Sequence, residues 1–85
     1  MYKAVKDVKV VSDYKLYLKF ENGIEKIFDM EPYLEYGIFK KLKDKKTFGT
    51  VRVCFDSIEW ENSADIDPEL LYEKGIEIER FLKEK

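Results

Sequence analysis

The chain has 85 residues, of which 45% are hydrophobic and 15% aromatic, a composition that fits one small domain over 1–85 with an apolar core. Its 16 basic and 18 acidic side chains nearly balance, which disfavours nucleic acid as a partner because nucleic-acid binders carry a basic excess. The sequence contains no histidine, which excludes His-based acid–base catalysis, Ser-His and Cys-His nucleophile pairs and His-ligated zinc. We therefore expect a non-enzymatic protein without a cofactor.

The location expected from the sequence is the cytoplasm. No apolar run approaches the roughly 20 residues that cross a bilayer, and residues 1–10 have charges spread through them, unlike a signal peptide. The single cysteine, Cys54, cannot form an internal disulfide, which is typical of reducing compartments. No motif activates its thiol, so Cys54 is interpreted as a structural residue and no membrane partner is expected.

The first third of the chain predicts three strands. Residues 3–11 are rich in valine with lysines between, and residues 14–21 alternate apolar and polar side chains. Asn22-Gly23 follows, and this pair indicates a hairpin because a type I′ turn needs positive φ at both positions. The returning strand is predicted over 24–30.

Two short helices are predicted next, over 30–37 and 38–44. Asp29 is expected to cap the first helix, Pro32 lies in its first turn, and Gly37 ends it. In the second helix the apolar side chains are expected to face inward and the lysines outward.

A β-hairpin is expected after the helices, with strands over 51–56 and 58–61 and a turn at 56–57. The alternation of side chains assigns Phe55 to the apolar face of the first strand. Val51 and Val53 share that face, and Arg52 and Cys54 lie on the other.

The last third predicts C-terminal helices. Asp67 and Pro68 begin a short helix as N-cap and first helical residue, and a second helix is predicted over 76–85. Strands and helices are segregated along the chain rather than alternating. This order predicts an α+β fold with a mainly antiparallel sheet of about five strands.

Acidic residues crowd into the segment 58–72. They are Glu59, Glu61, Asp65, Asp67 and Glu69. We favour a structural interpretation, because Asp67 caps a helix and the spacing departs from that of a calcium loop. A carboxylate-dependent metal site or enzyme at Glu61, Asp65 and Asp67 is the alternative. Asp65 itself either closes an Asx-type turn beside Trp60 or meets a partner.

Five lysines in residues 40–46 give a second alternative, weak nucleic-acid binding through phosphate contacts. Asp44 lies in their midst, and the lysines are expected on the outside of a short amphipathic helix. A solvated face is therefore the favoured interpretation, and a nucleic-acid partner is not expected.

The aromatic side chains indicate a partner. The tyrosines and the tryptophan are more numerous than a small core can enclose while each polar end still reaches water. Both residue types are enriched at protein interfaces. The alternative is that each tyrosine hydroxyl simply reaches solvent at the rim of the core. The candidate partner-binding residues are Tyr17, Tyr36, Trp60, Asp65 and Tyr72.

Several motifs in combination resemble a bacterial and archaeal family catalogued as domain of unknown function 2442. In order, they are LYLKFENG (16–23), FDMEPYLEYGIFKKLKD (28–44), Phe48, the VRV strand, Trp60 and ADIDPELLY (64–72). The resemblance covers residues 4–72, and 73–85 is expected to be a helical extension. The chain departs from the family pattern in a shorter turn before the tryptophan and in lacking a small-residue motif at 61–63.

Positions expected to match the family pattern are Asp29, Phe39, Leu42, Trp60, Asp65, Asp67, Pro68, Leu71 and Tyr72. The resemblance implies a small α+β domain with no established activity. Some relatives carry a helix-turn-helix domain, for which this chain is expected to be too short, and others are encoded beside a second small protein in what look like toxin–antitoxin operons. We therefore expect a regulatory, antitoxin-like interaction domain that binds a neighbour-encoded protein or itself.

Overall fold

The structure is a computed structural model that describes residues 4–78. The strands are β1 (Val5–Ser12), β2 (Lys15–Phe20), β3 (Glu25–Asp29), β4 (Arg52–Cys54), β5 (Ser57–Glu59), β6 (Asp65–Ile66) and β7 (Ile76–Glu77). The helices are two 3-10 helices (Glu31–Tyr33 and Gly37–Lys43) and two α-helices, α1 (Lys45–Phe48) and α2 (Pro68–Lys74). Across these residues, no helix has the length and apolar character that crossing a membrane requires.

The strands form two antiparallel sheets, one in the order β1-β2-β3-β7 and the other in the order β4-β5-β6. This confirms the predicted α+β class and antiparallel pairing. The sequence missed β6 and β7, because a strand of two residues is too short to show alternation. The prediction of a helix over 76–85 is wrong at Ile76 and Glu77, which pair with β3 as a strand. The part of that prediction from residue 79 onward lies outside the described residues.

The predicted hairpin between β2 and β3 is confirmed, but its turn differs from type I′. Gly23 has a φ of 88°, whereas Asn22 is not in the left-handed region. The side chain of Asn22 instead accepts a hydrogen bond from the Ile24 N–H at 3.0 Å, as asparagine commonly does in turns. The turn is therefore stabilised by one glycine and one side-chain acceptor.

One apolar core lies between the two sheets and the helices. Its completely buried large side chains are Trp60, Phe20, Phe28, Leu16, Leu18, Met30, Leu42, Ile58 and Leu71. Lys26 is also buried, and its ammonium group donates to the backbone oxygen of Tyr72 while lying 3.9 Å from the centre of that ring. These contacts satisfy the buried charge and join β3 to α2.

The helix cap predicted at Asp67 is present, whereas the one predicted at Asp29 is not. Asp67 is the N-cap of α2 and accepts from the Glu69 N–H at 2.9 Å, and Pro68 opens the helix. The N-cap of the short 3-10 helix after Asp29 is Met30, which makes no side-chain cap hydrogen bond. Asp29 instead accepts from the Glu31 N–H at 3.0 Å, a contact that aspartate commonly makes in turns.

The segment predicted as a helix over 38–44 is a 3-10 helix that starts at Gly37. Its tighter winding gives three residues per turn and shifts the side chains away from an α-helical pattern. As a result Leu42 is buried as predicted, whereas Ile38, which was expected to face inward, is exposed.

Gly75 allows α2 to end against β3. A Cβ at this position would lie 2.7 Å from the backbone oxygen of Leu71 and 3.1 Å from the Cβ of Lys26. The first distance is far below van der Waals contact, and the atom concerned belongs to the backbone. A side chain at residue 75 therefore requires the helix end and the strand to separate.

Gly75→Ala should lower the free energy of unfolding by about 1–3 kcal/mol, because the added methyl group overpacks this junction. The matched control is Gly49→Ala, where the nearest atoms to a Cβ are 3.5 Å away and φ is −70°. That change should be neutral or stabilising by about 0.4–1 kcal/mol. Urea denaturation of both variants tests the difference, and equal midpoints would contradict the close approach at Gly75.

Candidate functional site

The turn between β4 and β5 carries the most exposed large hydrophobic side chain in the described part of the chain. Cys54 pairs with Ser57, so Phe55 and Asp56 form a two-residue turn. The φ of Phe55 is 56°, in the left-handed region, which costs a bulky residue about 1–3 kcal/mol. Its side chain is 96% exposed and gains no burial in return. An aromatic residue is thus held in a strained position with its ring in solvent.

An open cleft of about 510 Å³ lies beside this turn. Its lining includes Phe55 and the carboxylate residues Asp56, Glu59, Asp65 and Asp67, whereas no lysine or arginine of the described chain lines it. Glu59 and Asp65 stand directly opposite each other on β5 and β6. The cleft is therefore an acidic surface with an aromatic side chain at its edge.

Two contacts shape the electrostatics of the cleft. Arg52 donates to the Glu59 carboxylate at 3.0 Å and offsets part of its charge. The hydrogen bond between the Cys54 thiol and Glu59, helped by partial burial and by the charge of that carboxylate, raises the pKa of the thiol. The acidic surroundings thus keep Cys54 protonated, in agreement with its interpretation as a structural residue.

The carboxylates predicted as an alternative metal or catalytic site do not converge. In residues 4–78 no group of three or more His, Cys, Asp or Glu side chains is placed to hold a metal ion. The carboxylate of Asp67 accepts the Glu69 N–H as a helix cap, and Glu61 is not part of the cleft lining. No observation in the described residues therefore favours this alternative.

Asp65 lies in the cleft, but the Asx-type turn that was one of its two alternatives is formed by a neighbouring residue. The side chain of Asn62 accepts from the Ala64 N–H at 3.2 Å and closes the loop between β5 and β6. Asp65 is exposed at the start of β6 and faces the same cleft as Glu59. The partner-binding interpretation of Asp65 stays a prediction.

The surface role expected of Trp60 needs correction, because this side chain is completely buried. Its indole N–H donates to the backbone oxygen of Phe48 at 3.0 Å, and the two rings stack at 5.9 Å. A tryptophan with both its ring and its N–H satisfied inside the core contributes to stability. It offers no surface to a partner.

The three candidate tyrosines lie on different elements, and none lines the cleft. Tyr17 donates its hydroxyl to Glu25 on the neighbouring strand, and that hydrogen bond raises its pKa to about 12. Tyr36 is exposed before the second 3-10 helix. Tyr72 is half-buried, with its ring 4.9 Å from that of Phe20. The tyrosines therefore do not form one surface with Asp65.

The lysine run is partly neutralised by carboxylates from other segments. Lys43 lies 2.7 Å from Glu35, and Lys45 lies 2.8 Å from Asp13. Each ion pair lowers the pKa of its carboxyl group, first through the hydrogen bond to the lysine and then through its charge. These pairs leave less positive charge available to phosphates than the sequence indicated.

Phe55 is the site residue that the sequence did not identify. The alternation Val51, Val53, Phe55 assigned it to the core face, but the turn begins one residue earlier than predicted. Leaving the strand one residue sooner turns the ring into solvent, since side-chain direction alternates along a strand. The sequence held no local signal for this shift.

Glu59→Gln should speed the reaction of Cys54 with iodoacetamide at mildly alkaline pH. Removing the carboxylate removes the main cause of the raised thiol pKa, so a larger fraction of thiolate is present. Alkylation rates measured against pH report this residue alone, because the chain has one cysteine. Glu61→Gln, an exposed site outside the cleft lining, is the control and should not change the rate. Equal rates in all three proteins would contradict the contact.

Comparisons with known proteins identify a family but not a function. No curated protein and no solved structure matches the chain. The family described as Protein of unknown function (DUF2442) matches residues 5–77, which include the cleft and all the strands found in the described part of the chain. The chain therefore belongs to this family of proteins of unknown function.

Proposed function

We propose that the protein is a non-enzymatic interaction domain that acts in the cytoplasm and binds a basic segment of a partner protein at the cleft beside Phe55. The observation that carries the proposal is the pairing of a strained, 96% exposed phenylalanine with an acidic cleft. The cytoplasm is supported by a single, free cysteine.

An exposed aromatic ring supplies affinity when a partner covers it. Such residues anchor interfaces because they bury a large apolar area and lose few rotamers on binding. The folded chain bears the strain at Phe55 without a compensating contact among the described residues. Burial of this ring in an apolar pocket of a partner is the simplest way to compensate for the backbone strain at Phe55.

The carboxylates define the charge of the partner. Asp56, Glu59 and Asp65 surround the cleft next to the ring, so lysine or arginine side chains fit there and acidic ones are repelled. Charges at such a rim mainly increase the association rate and the specificity. The affinity should therefore fall as salt is added.

The partner we propose is a protein encoded beside this chain, with this domain as the regulatory, antitoxin-like member of the pair. The family resemblance supports that context, and the acidic cleft supports the complementary charge of the partner. Regulation by binding requires no chemistry at the site. This accords with a cleft whose charged side chains act as caps, ion pairs and rim groups.

Phe55→Asn should abolish partner binding while stabilising the free protein by about 1 kcal/mol. Asparagine tolerates a positive φ better than phenylalanine does, and no buried contact is lost. Binding is measured by capture from extracts of the source cell in low salt and by titration of the captured protein. Stability is measured by urea denaturation.

Ile38→Asn provides the control, because this apolar side chain is also exposed but lies outside the cleft lining. It should retain the partner with unchanged affinity. Capture of the same protein by the Phe55 variant, or a wild-type chain that retains nothing specific at low salt, would contradict the proposal. Salt that leaves the affinity unchanged would contradict the role of the carboxylates.

A further inference from the structure

A second cleft, of about 300 Å³, lies at the end of the larger sheet that β3 and β7 form. Ile27 and Ile76 stand directly opposite each other on these strands and line the cleft together with Pro32 and Tyr33. The ring of Tyr33 stacks on that of Phe28 at 5.6 Å, which holds this wall in place. Because an apolar cavity of about 150 Å³ accommodates one benzene ring, this apolar cleft has room for an aromatic side chain.

The apolar cleft carries positive charge at its rim. Lys15 and Lys74 line it with a single carboxylate, that of Asp29, which lies 3.9 Å from the Lys15 ammonium group. Lys74 is exposed, and none of the ion pairs found in residues 4–78 involves it. The acidic cleft beside Phe55 has the opposite composition, with several carboxylates and no lysine or arginine of the described chain in its lining. The two clefts are therefore complementary in charge.

Phe55 is complementary to the apolar cleft in chemistry as well. Its ring is 96% exposed and stands at the edge of the acidic cleft. An aromatic side chain that becomes buried removes about 150–250 Å² from water, and Ile27 and Ile76 supply apolar surface for it. Insertion of the ring also brings the carboxylates beside it toward Lys15 and Lys74. One contact thus satisfies both the ring and the charges around it.

A single chain cannot fill its apolar cleft with its own Phe55. The Val5 N–H donates to the Asp56 oxygen, which places the turn beside the start of β1, and Val5 pairs with the last residue of β2. The apolar cleft includes Lys15, the first residue of β2, and lies toward β7 on the other side of the sheet. The six residues of β2 span about 17 Å, farther than a phenylalanine side chain reaches. The ring and the apolar cleft therefore lie at diagonally opposite corners.

We propose that the Phe55 ring of one copy inserts into the apolar cleft of a second copy, so that chains associate head to tail. This inference rests on the proposed function, in which Phe55 anchors an interface, and it names a second occupant for that anchor. Because ring and cleft lie at opposite corners, the contact is heterologous, and every assembly has a free ring at one end and a free apolar cleft at the other. Association therefore continues beyond two copies.

Self-association and partner binding exclude each other, because both cover Phe55. The contact consists of one ring and a few charges, which is smaller than the interfaces of stable complexes. The assembly therefore forms only at high protein concentration and leaves the ring accessible in dilute extracts. A bound partner keeps the domain dissociated, so the partner also controls its assembly.

Sedimentation velocity over a concentration series to about 1 mM measures the mass in solution. For the wild type we expect an average mass that rises past twice the 10.2 kDa of one chain. Phe55→Asn removes the ring, and Ile76→Glu places a carboxylate where the acidic side chains of the next copy approach, so each should weaken association about tenfold or more. Ile38→Glu is the control, because this isoleucine is also exposed but lines neither cleft, and it should associate like the wild type.

Mixing the two variants is the decisive experiment. The Phe55→Asn chain retains an intact apolar cleft, and the Ile76→Glu chain retains an intact ring. An equimolar mixture should therefore form pairs of twice 10.2 kDa and stop there, because a pair has no working ring or apolar cleft left. Each variant alone should stay monomeric, so recovery on mixing excludes misfolding as the cause.

Several outcomes would overturn the head-to-tail assembly. They are a wild-type chain that stays monomeric at every concentration or stops at two copies, a Phe55→Asn or Ile76→Glu variant that associates normally, and a mixture that stays monomeric. A wild-type assembly that persists at saturating partner would contradict the exclusion.

The Ile76→Glu variant separates this inference from the proposed function. Its acidic cleft and its Phe55 ring are unchanged, so it should capture the partner like the wild type while failing to self-associate. Capture without self-association of the wild type rejects the assembly alone, and self-association without capture rejects the proposed function alone.

Discussion

The rest of the structure depends on the burial of Trp60. Its indole N–H bonds the backbone of Phe48 at 3.0 Å, and the Phe48 ring lies 5.4 Å from that of Tyr14 at the turn between β1 and β2. This chain of contacts holds the smaller sheet against the larger one. Short strands are marginal alone, so β4, β5 and β6 depend on such a buried anchor for stability. One side chain therefore connects the loop-rich half of the molecule to the regular half.

An anchor at the base of the β4–β5 hairpin leaves the tip of that hairpin available. Trp60 fixes the chain just after β5, while Phe55 lies at the opposite end of the strand pair. The buried end supplies stability that offsets strain of about 1–3 kcal/mol at the exposed end. Strained residues persist in this way where the surroundings determine the backbone. The core and the candidate site are thus two ends of one hairpin.

Local interactions were predictable from the sequence, and tertiary ones were not. The strand alternation before Gly23 and the Asp67-Pro68 helix start depend on neighbours in the chain, and both appear as predicted. The burial of Trp60 and the exposure of Phe55 depend on how the two sheets meet and on where a turn begins. A shift of one residue exchanges the inside and outside of a strand. Most of the fold was therefore accessible from the sequence, and so were three carboxylates of the cleft, Glu59, Asp65 and Asp67, whereas the exposure of Phe55 was not.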